Sequence, residues 1–112
     1  MKLFFSIVFL FAFFCSKSQN TGYAIREEGY CFKTTDGGVN WTNIGAVAVG
    51  PFTSISFPDV NTGYAIREEG YCFKTTDGGV NWTNIGAVAV GPFTSISFPD
   101  VNTGYAIREE GY

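Results

Sequence analysis

A chain of 112 residues is the size of one small domain, and its seven basic residues against ten acidic ones leave a net charge of −3. Nucleic-acid binding rests on clustered Lys and Arg, so no nucleic-acid partner is expected. The sequence contains no histidine, which removes Ser-His-Asp and Cys-His chemistry and the common zinc sites, and no metal or cofactor is expected.

In chain order, the first segment reads as a targeting signal. Lys2 supplies a positive start, and Phe4 to Phe14 (FFSIVFLFAFF) is an apolar run of 11 residues, too short for a bilayer core that needs roughly 20. Ser16 and Ser18 give a small-x-small cleavage pattern. We therefore expect residues 1–18 to be a signal peptide removed after Ser18, and the chain not to span a membrane. The rival is a lipoprotein signal with Cys15 lipidated, but Phe13 and Phe14 stand where such signals carry small residues. With Lys2 and Lys17 gone, five basic residues face ten acidic ones, a net charge of −5. A moderate negative charge serves solubility, or suits a basic partner.

From Asn20 the chain repeats. Asn20 to Val60 and Asn61 to Val101 are identical, and Asn102 to Tyr112 restarts the unit, so the period is 41 residues. Such a period, rich in Gly, Thr, aromatic and β-branched residues, predicts four-stranded β-propeller blades rather than helical solenoids. The expected fold is all-β: a partial β-propeller of four-stranded antiparallel blades over residues 19–112, with repeats at 20–60, 61–101 and 102–112.

Turn residues place the strands. Strand one is expected over Phe52 to Phe57, with Thr53, Ile55 and Phe57 on one face, ended by Pro58 and a turn over Asp59 to Gly63. Strand two is expected over Tyr64 to Arg67 and strand three over Tyr71 to Thr75, joined by a turn at Glu68 to Gly70. After Asp77-Gly78-Gly79, strand four runs from near Trp82 to about Ala87, and Gly91-Pro92 breaks it. Blade faces pack on neighbouring blades, so Tyr64-Ala65-Ile66 and Tyr71-Cys72-Phe73 should be apolar on both faces. Cys31 and Cys72 occupy one repeat position, which is not disulfide or metal spacing, and read as small buried hydrophobes.

The sequence Thr34-Thr35-Asp36-Gly37-Gly38-Val39-Asn40-Trp41 recurs as Thr75 to Trp82. Its pattern suits a tight hairpin. Asp36 or Asp77 can accept backbone N–H groups, Thr34 or Thr75 adds a hydroxyl, Gly38 or Gly79 allows positive φ, and Trp41 or Trp82 folds over the turn. It resembles the Asp-box, the bacterial neuraminidase repeat. The resemblance implies that these eight residues are structural and lie on the periphery of the propeller. A calcium loop is excluded by the missing alternate acidic ligands. Asn40-Trp41-Thr42 and Asn81-Trp82-Thr83 fit the glycosylation pattern, which carries no meaning in bacterial export.

The wider unit, NTGYAIREEGYCFKTTDGGVNWTNIG, resembles the photosystem II assembly and stability factor family, a resemblance covering residues 20–112. It implies a propeller that binds a protein or peptide partner, and a secreted or periplasmic bacterial location, since relatives outside photosynthesis are exported. The expected function is a non-catalytic scaffold. The alternative is a sialidase-like glycoside hydrolase or a carbohydrate-binding module, for which Arg26, Glu27, Glu28 and Tyr30 offer the right residue types. Repetition argues against it: Arg26, Arg67 and Arg108 are one position in successive blades, whereas a catalytic centre needs different residues converging. With Glu27-Glu28, Glu68-Glu69 and Glu109-Glu110 these arginines form either a charged rim gripping an acidic or extended peptide, or solvated turns with ordinary surface pairs. Two blades and part of a third do not close a ring. The readings are a fragment of a longer repeat protein, several chains closing one ring as a homo-oligomer, or a short open stack.

Overall fold

A computed structural model describes residues 20–109. The signal-peptide reading of residues 1–18, and Glu110 of the expected rim, lie outside them.

Among the described residues, nine strands form three antiparallel sheets. The middle sheet is one complete blade in the order β4 (Phe52–Ser56), β5 (Gly63–Arg67), β6 (Tyr71–Thr75) and β7 (Thr83–Ala87). Before it stand β1 (Gly22–Ile25), β2 (Tyr30–Thr34) and β3 (Thr42–Ala46), which repeat β5 to β7. After it β8 (Phe93–Ser97) pairs with β9 (Tyr105–Arg108), repeating β4 and β5. The described residues hold no helix long and apolar enough to cross a membrane. The protein is an all-β partial propeller of four-stranded antiparallel blades.

Equivalent strands one of successive blades meet, which makes them the innermost. The backbone N–H of Ile96 in β8 donates to Ser54 Oγ in β4 at 3.1 Å, and that of Phe98 donates to Ser56 Oγ at 3.0 Å. These serines tie blade to blade beside the axis.

Farther out the wedge between blades is apolar. Tyr64, Ile66 and Cys72 of one blade cluster with Phe93 and Ile96 of the next, while Ala65 and Phe73 face the other way with Phe52, towards Ile25 and Val47. The unbroken Tyr64-Ala65-Ile66 run is thus buried on both faces. Cys31 and Cys72 are buried free thiols, and burial pushes each up to about 11. A tyrosine latch recurs at each junction. Tyr23 stacks on Phe57 at 3.5 Å and donates to Val60 O at 3.0 Å, and Tyr64 does the same with Phe98 at 3.6 Å and Val101 O at 2.9 Å.

Three details differ from expectation. Thr53 does not share a face with Ile55: the register shifts between Phe52 and Ser54, Thr53 is exposed, and its hydroxyl donates to Ile66 O at 3.4 Å. This bulge brings Phe93 and Ile96, three residues apart in the equivalent strand, into one cluster. Tyr71 is exposed, unlike Cys72 and Phe73, because strand three lies far enough out for its first residue to reach solvent. Strand four carries a second bulge: Cys72 pairs with Gly86 and Phe73 with Asn84, leaving Ile85 unpaired, and Gly86 takes φ +104°. A residue with a Cβ is strained there.

Candidate functional site

Each blade has two turns of chemical interest, at opposite ends. Strand three begins beside the Arg-Glu-Glu-Gly turn and runs to the Thr-Thr-Asp-Gly-Gly turn, so the sheet separates them.

In the second turn the threonine, aspartate, asparagine and tryptophan side chains bond within the turn itself. Thr75 Oγ1 donates to Asp77 Oδ1 at 2.7 Å and accepts from Gly79 N at 3.0 Å. Asp77 Oδ1 also accepts from Asn81 N at 2.9 Å, and Oδ2 accepts from Asn81 Nδ2 at 2.9 Å. Trp82 Nε1 donates to Gly79 O at 3.0 Å. Gly79 takes φ +94°, a left-handed conformation disfavoured for residues with a Cβ. The first copy matches: Thr34 to Asp36 at 2.8 Å, Gly38 N to Thr34 at 3.0 Å, and Trp41 Nε1 to Gly38 O at 3.1 Å. Hydrogen bonds, first from Asn40 and Asn81, hold Asp36 and Asp77 down at about 2. A carboxylate so saturated is a poor general base. Asn40 and Asn81 are the residues that sequence reasoning missed, taken there as incidental glycosylation patterns. Their signal was an amide side chain four residues after an aspartate.

The Arg-Glu-Glu turn is built into the junction between blades. Phe93 N donates to Glu68 O at 2.9 Å and Val88 N to Gly70 O at 2.9 Å, so the chain leaving strand four wraps the turn before entering the next blade. Gly70, at φ +114°, lies where a Cβ would run into Ala89 O. Arg67 ends strand two opposite Phe52, and Arg108 stands opposite Phe93. The three arginines thus occupy the same end of successive blades, one strand out from the axis rather than on it.

Their side chains are partly committed. Arg26 pairs with Glu28 at 2.9 Å and lies over the Tyr30 ring at 5.8 Å. Arg67 pairs with Glu69 at 3.0 Å, is the less exposed of the two, and buries an Nε that has no hydrogen-bond partner among the described residues. Arg108 packs against Gly91, where a Cβ would come within 2.7 Å of its Nε. Exposed pairs of this kind contribute about 0–1 kcal/mol, so a ligand carboxylate can displace the glutamate at little cost. Glu27 and Glu68 are exposed neighbours in the same turns, and Glu109 donates its N–H to Pro92 O at 2.9 Å. No group of three or more His, Cys, Asp or Glu capable of holding a metal occurs among the described residues.

No family model and no curated protein matches the chain. Among solved structures it is similar to "YCF48 bound to D1 peptide", with 25% identity and a TM-score of 0.70 over 84% of this chain and 33% of that one. It is also similar to YCF48 from Cyanidioschyzon merolae, with 24% identity and a TM-score of 0.65 over 88% of this chain and 30% of that one. The chain spans about a third of the length of each, and the likeness is to the propeller fold described above.

Proposed function

We propose that the chain is an exported, non-catalytic β-propeller scaffold that binds a protein or peptide segment at the rim formed by Arg26, Arg67 and Arg108. The observation that carries this reading is the likeness to YCF48 bound to D1 peptide. The rim chemistry agrees: arginines recur at one blade end, and a guanidinium can take a carboxylate in a bidentate grip. The Thr-Thr-Asp-Gly-Gly-Val-Asn-Trp turns, as structural Asp-boxes, hold the hairpins at the far end and leave the ligand to the rim. Export rests on the signal-peptide reading of residues 1–18.

Binding of a fluorescent acidic extended peptide, measured by anisotropy against a basic peptide of equal length, tests the rim. Arg67→Glu should weaken capture of the acidic peptide by at least tenfold while the far-UV spectrum stays that of the parent. Unchanged capture sinks the rim.

A further inference from the structure

Strand four of each blade runs on into Ala-Val-Ala-Val-Gly-Pro, residues 46–51 and 87–92, a linker with no charged or hydrogen-bonding side chain. In the first copy Val47 and Ala48 pack against the core cluster of Phe52, Ala65 and Phe73, but Val49 is 83% exposed, and its repeat equivalent Val90 is 86% exposed. A single exposed valine is ordinary. What distinguishes this pair is a fixed backbone and its place on the rim.

The backbone is held by the Arg-Glu-Glu turn. Val47 N donates to Gly29 O at 2.8 Å, Gly50 N to Glu28 O at 3.1 Å and Phe52 N to Glu27 O at 2.9 Å. On the other side Glu68 N donates to Pro51 O at 2.9 Å, and Arg67 stands opposite Phe52. Val49 therefore sits between the turn that follows Arg26 and the turn that follows Arg67, and the segments that make this junction, 26–30, 46–52 and 67–70, are all described. The same step recurs one blade on, where Glu109 N donates to Pro92 O at 2.9 Å and Arg108 packs against Gly91, next to Val90. Along the rim the order is arginine, valine, arginine, valine, arginine.

The energetics separate the two residue types. Arg26 and Arg67 each already hold a glutamate, so exchanging it for a ligand carboxylate trades one such pair for another and is nearly neutral. Charge here fixes where a ligand lies and in what register, more than how tightly it is held. Apolar burial is not an exchange: covering a valine that starts 83% exposed removes its surface from water outright. Because hydrogen bonds already fix the linker, little ordering cost is set against that gain. We propose that Val49 and Val90 are apolar contacts of the rim, which thus takes an extended peptide in which an apolar side chain stands between two acidic ones. This rests on the arginine-rim reading and adds to it the residue required between the acidic positions.

Anisotropy of fluorescent peptides that carry two glutamates at a series of spacings, with either leucine or serine midway between them, tests the contact. At the best spacing the parent should bind the leucine peptide about tenfold more tightly than the serine peptide, as expected for burial of one aliphatic side chain. The double variant Val49→Ser/Val90→Ser, altered only at exposed positions, should bind the serine peptide as the parent does and the leucine peptide no better. Arg67→Glu should weaken both. Equal binding of the two peptides by the parent, or a leucine preference that survives in the double variant, overturns the valine contact; the arginine rim still stands if Arg67→Glu weakens both. Capture of neither peptide overturns both readings. Valines whose replacement changes binding to anionic lipid vesicles, or the mass of the chain in solution, with no leucine preference among the peptides, serve another occupant and overturn the contact too.

Discussion

Trp41 and Trp82 offer a mutation with its own control. They share a sequence context and the same indole hydrogen bond, at 3.1 Å and 3.0 Å. Only Trp82 has strand one of its own blade, with Phe57 just after it, among the described residues to pack on. Truncating a buried tryptophan costs about 3–5 kcal/mol. Trp41 is already 47% exposed, so Trp41→Ala should cost roughly half that, about 2 kcal/mol. Trp82→Ala loses in addition the edge contact with Phe57, worth about 0.5–1.5 kcal/mol, and tens of Å² of further burial, worth roughly 1 kcal/mol. It should therefore cost about 1–2 kcal/mol more than Trp41→Ala. Differences between such closely matched variants are more reliable than absolute sums. Urea unfolding, followed by far-UV circular dichroism, measures both. With a slope of about 1–3 kcal/mol/M, the midpoints should differ by roughly 0.3–2 M. Equal midpoints would refute the packing of Trp82 on Phe57 as the source of its extra burial.

Acid should weaken the aspartate turns. The folded value of Asp36 and Asp77 is lowered from 3.8 to about 2, so their contribution is fully present above the unfolded value and is lost as pH falls from about 4 towards 2. Asp77→Asn should flatten the corresponding limb of a stability-against-pH curve. Burial that raises Cys31 and Cys72 to about 11 should leave both thiols unmodified by iodoacetamide in the native protein. Mass spectrometry of the shared tryptic peptide Glu-Glu-Gly-Tyr-Cys-Phe-Lys should show label only after unfolding. Gly63→Ala should destabilise by about 1–3 kcal/mol, since the new Cβ meets the Phe57 ring, which is held between the stacked Tyr23 and the edge of Trp82. Thermal unfolding measures that loss.

The period and turn residues made the blade legible. A 41-residue unit, Pro58, Asp77-Gly78-Gly79 and Gly91-Pro92 delimit four strands whose observed bounds differ by a residue or two from expectation. The bulges at Thr53 and Ile85 were not legible, because a period-2 reading assigns faces by counting and a bulge shifts the count by one. Asn84-Ile85-Gly86 is the visible trace of the second, with Gly86 at positive φ and its N–H donating to Asn84 Oδ1 at 2.8 Å. The recurrence of the arginines was legible; their commitment to Glu28 and Glu69 was not, since either glutamate in each turn is within reach along the chain.

Repetition also constrains what kind of site the propeller can offer. Arg26, Arg67 and Arg108 stand at one place in successive blades, so they present one chemistry several times instead of several chemistries at one point. Catalysis depends on unlike groups converging on a reacting atom, and a repeated unit supplies like groups in a series. A single exposed arginine paired with its own glutamate binds a carboxylate weakly. An extended ligand that engages two of them gains from the second as an intramolecular event, raising affinity without any new type of contact. The ligand best suited to this rim is therefore one whose acidic groups recur along an extended backbone, and its affinity should fall steeply when the spacing between them is changed at constant charge.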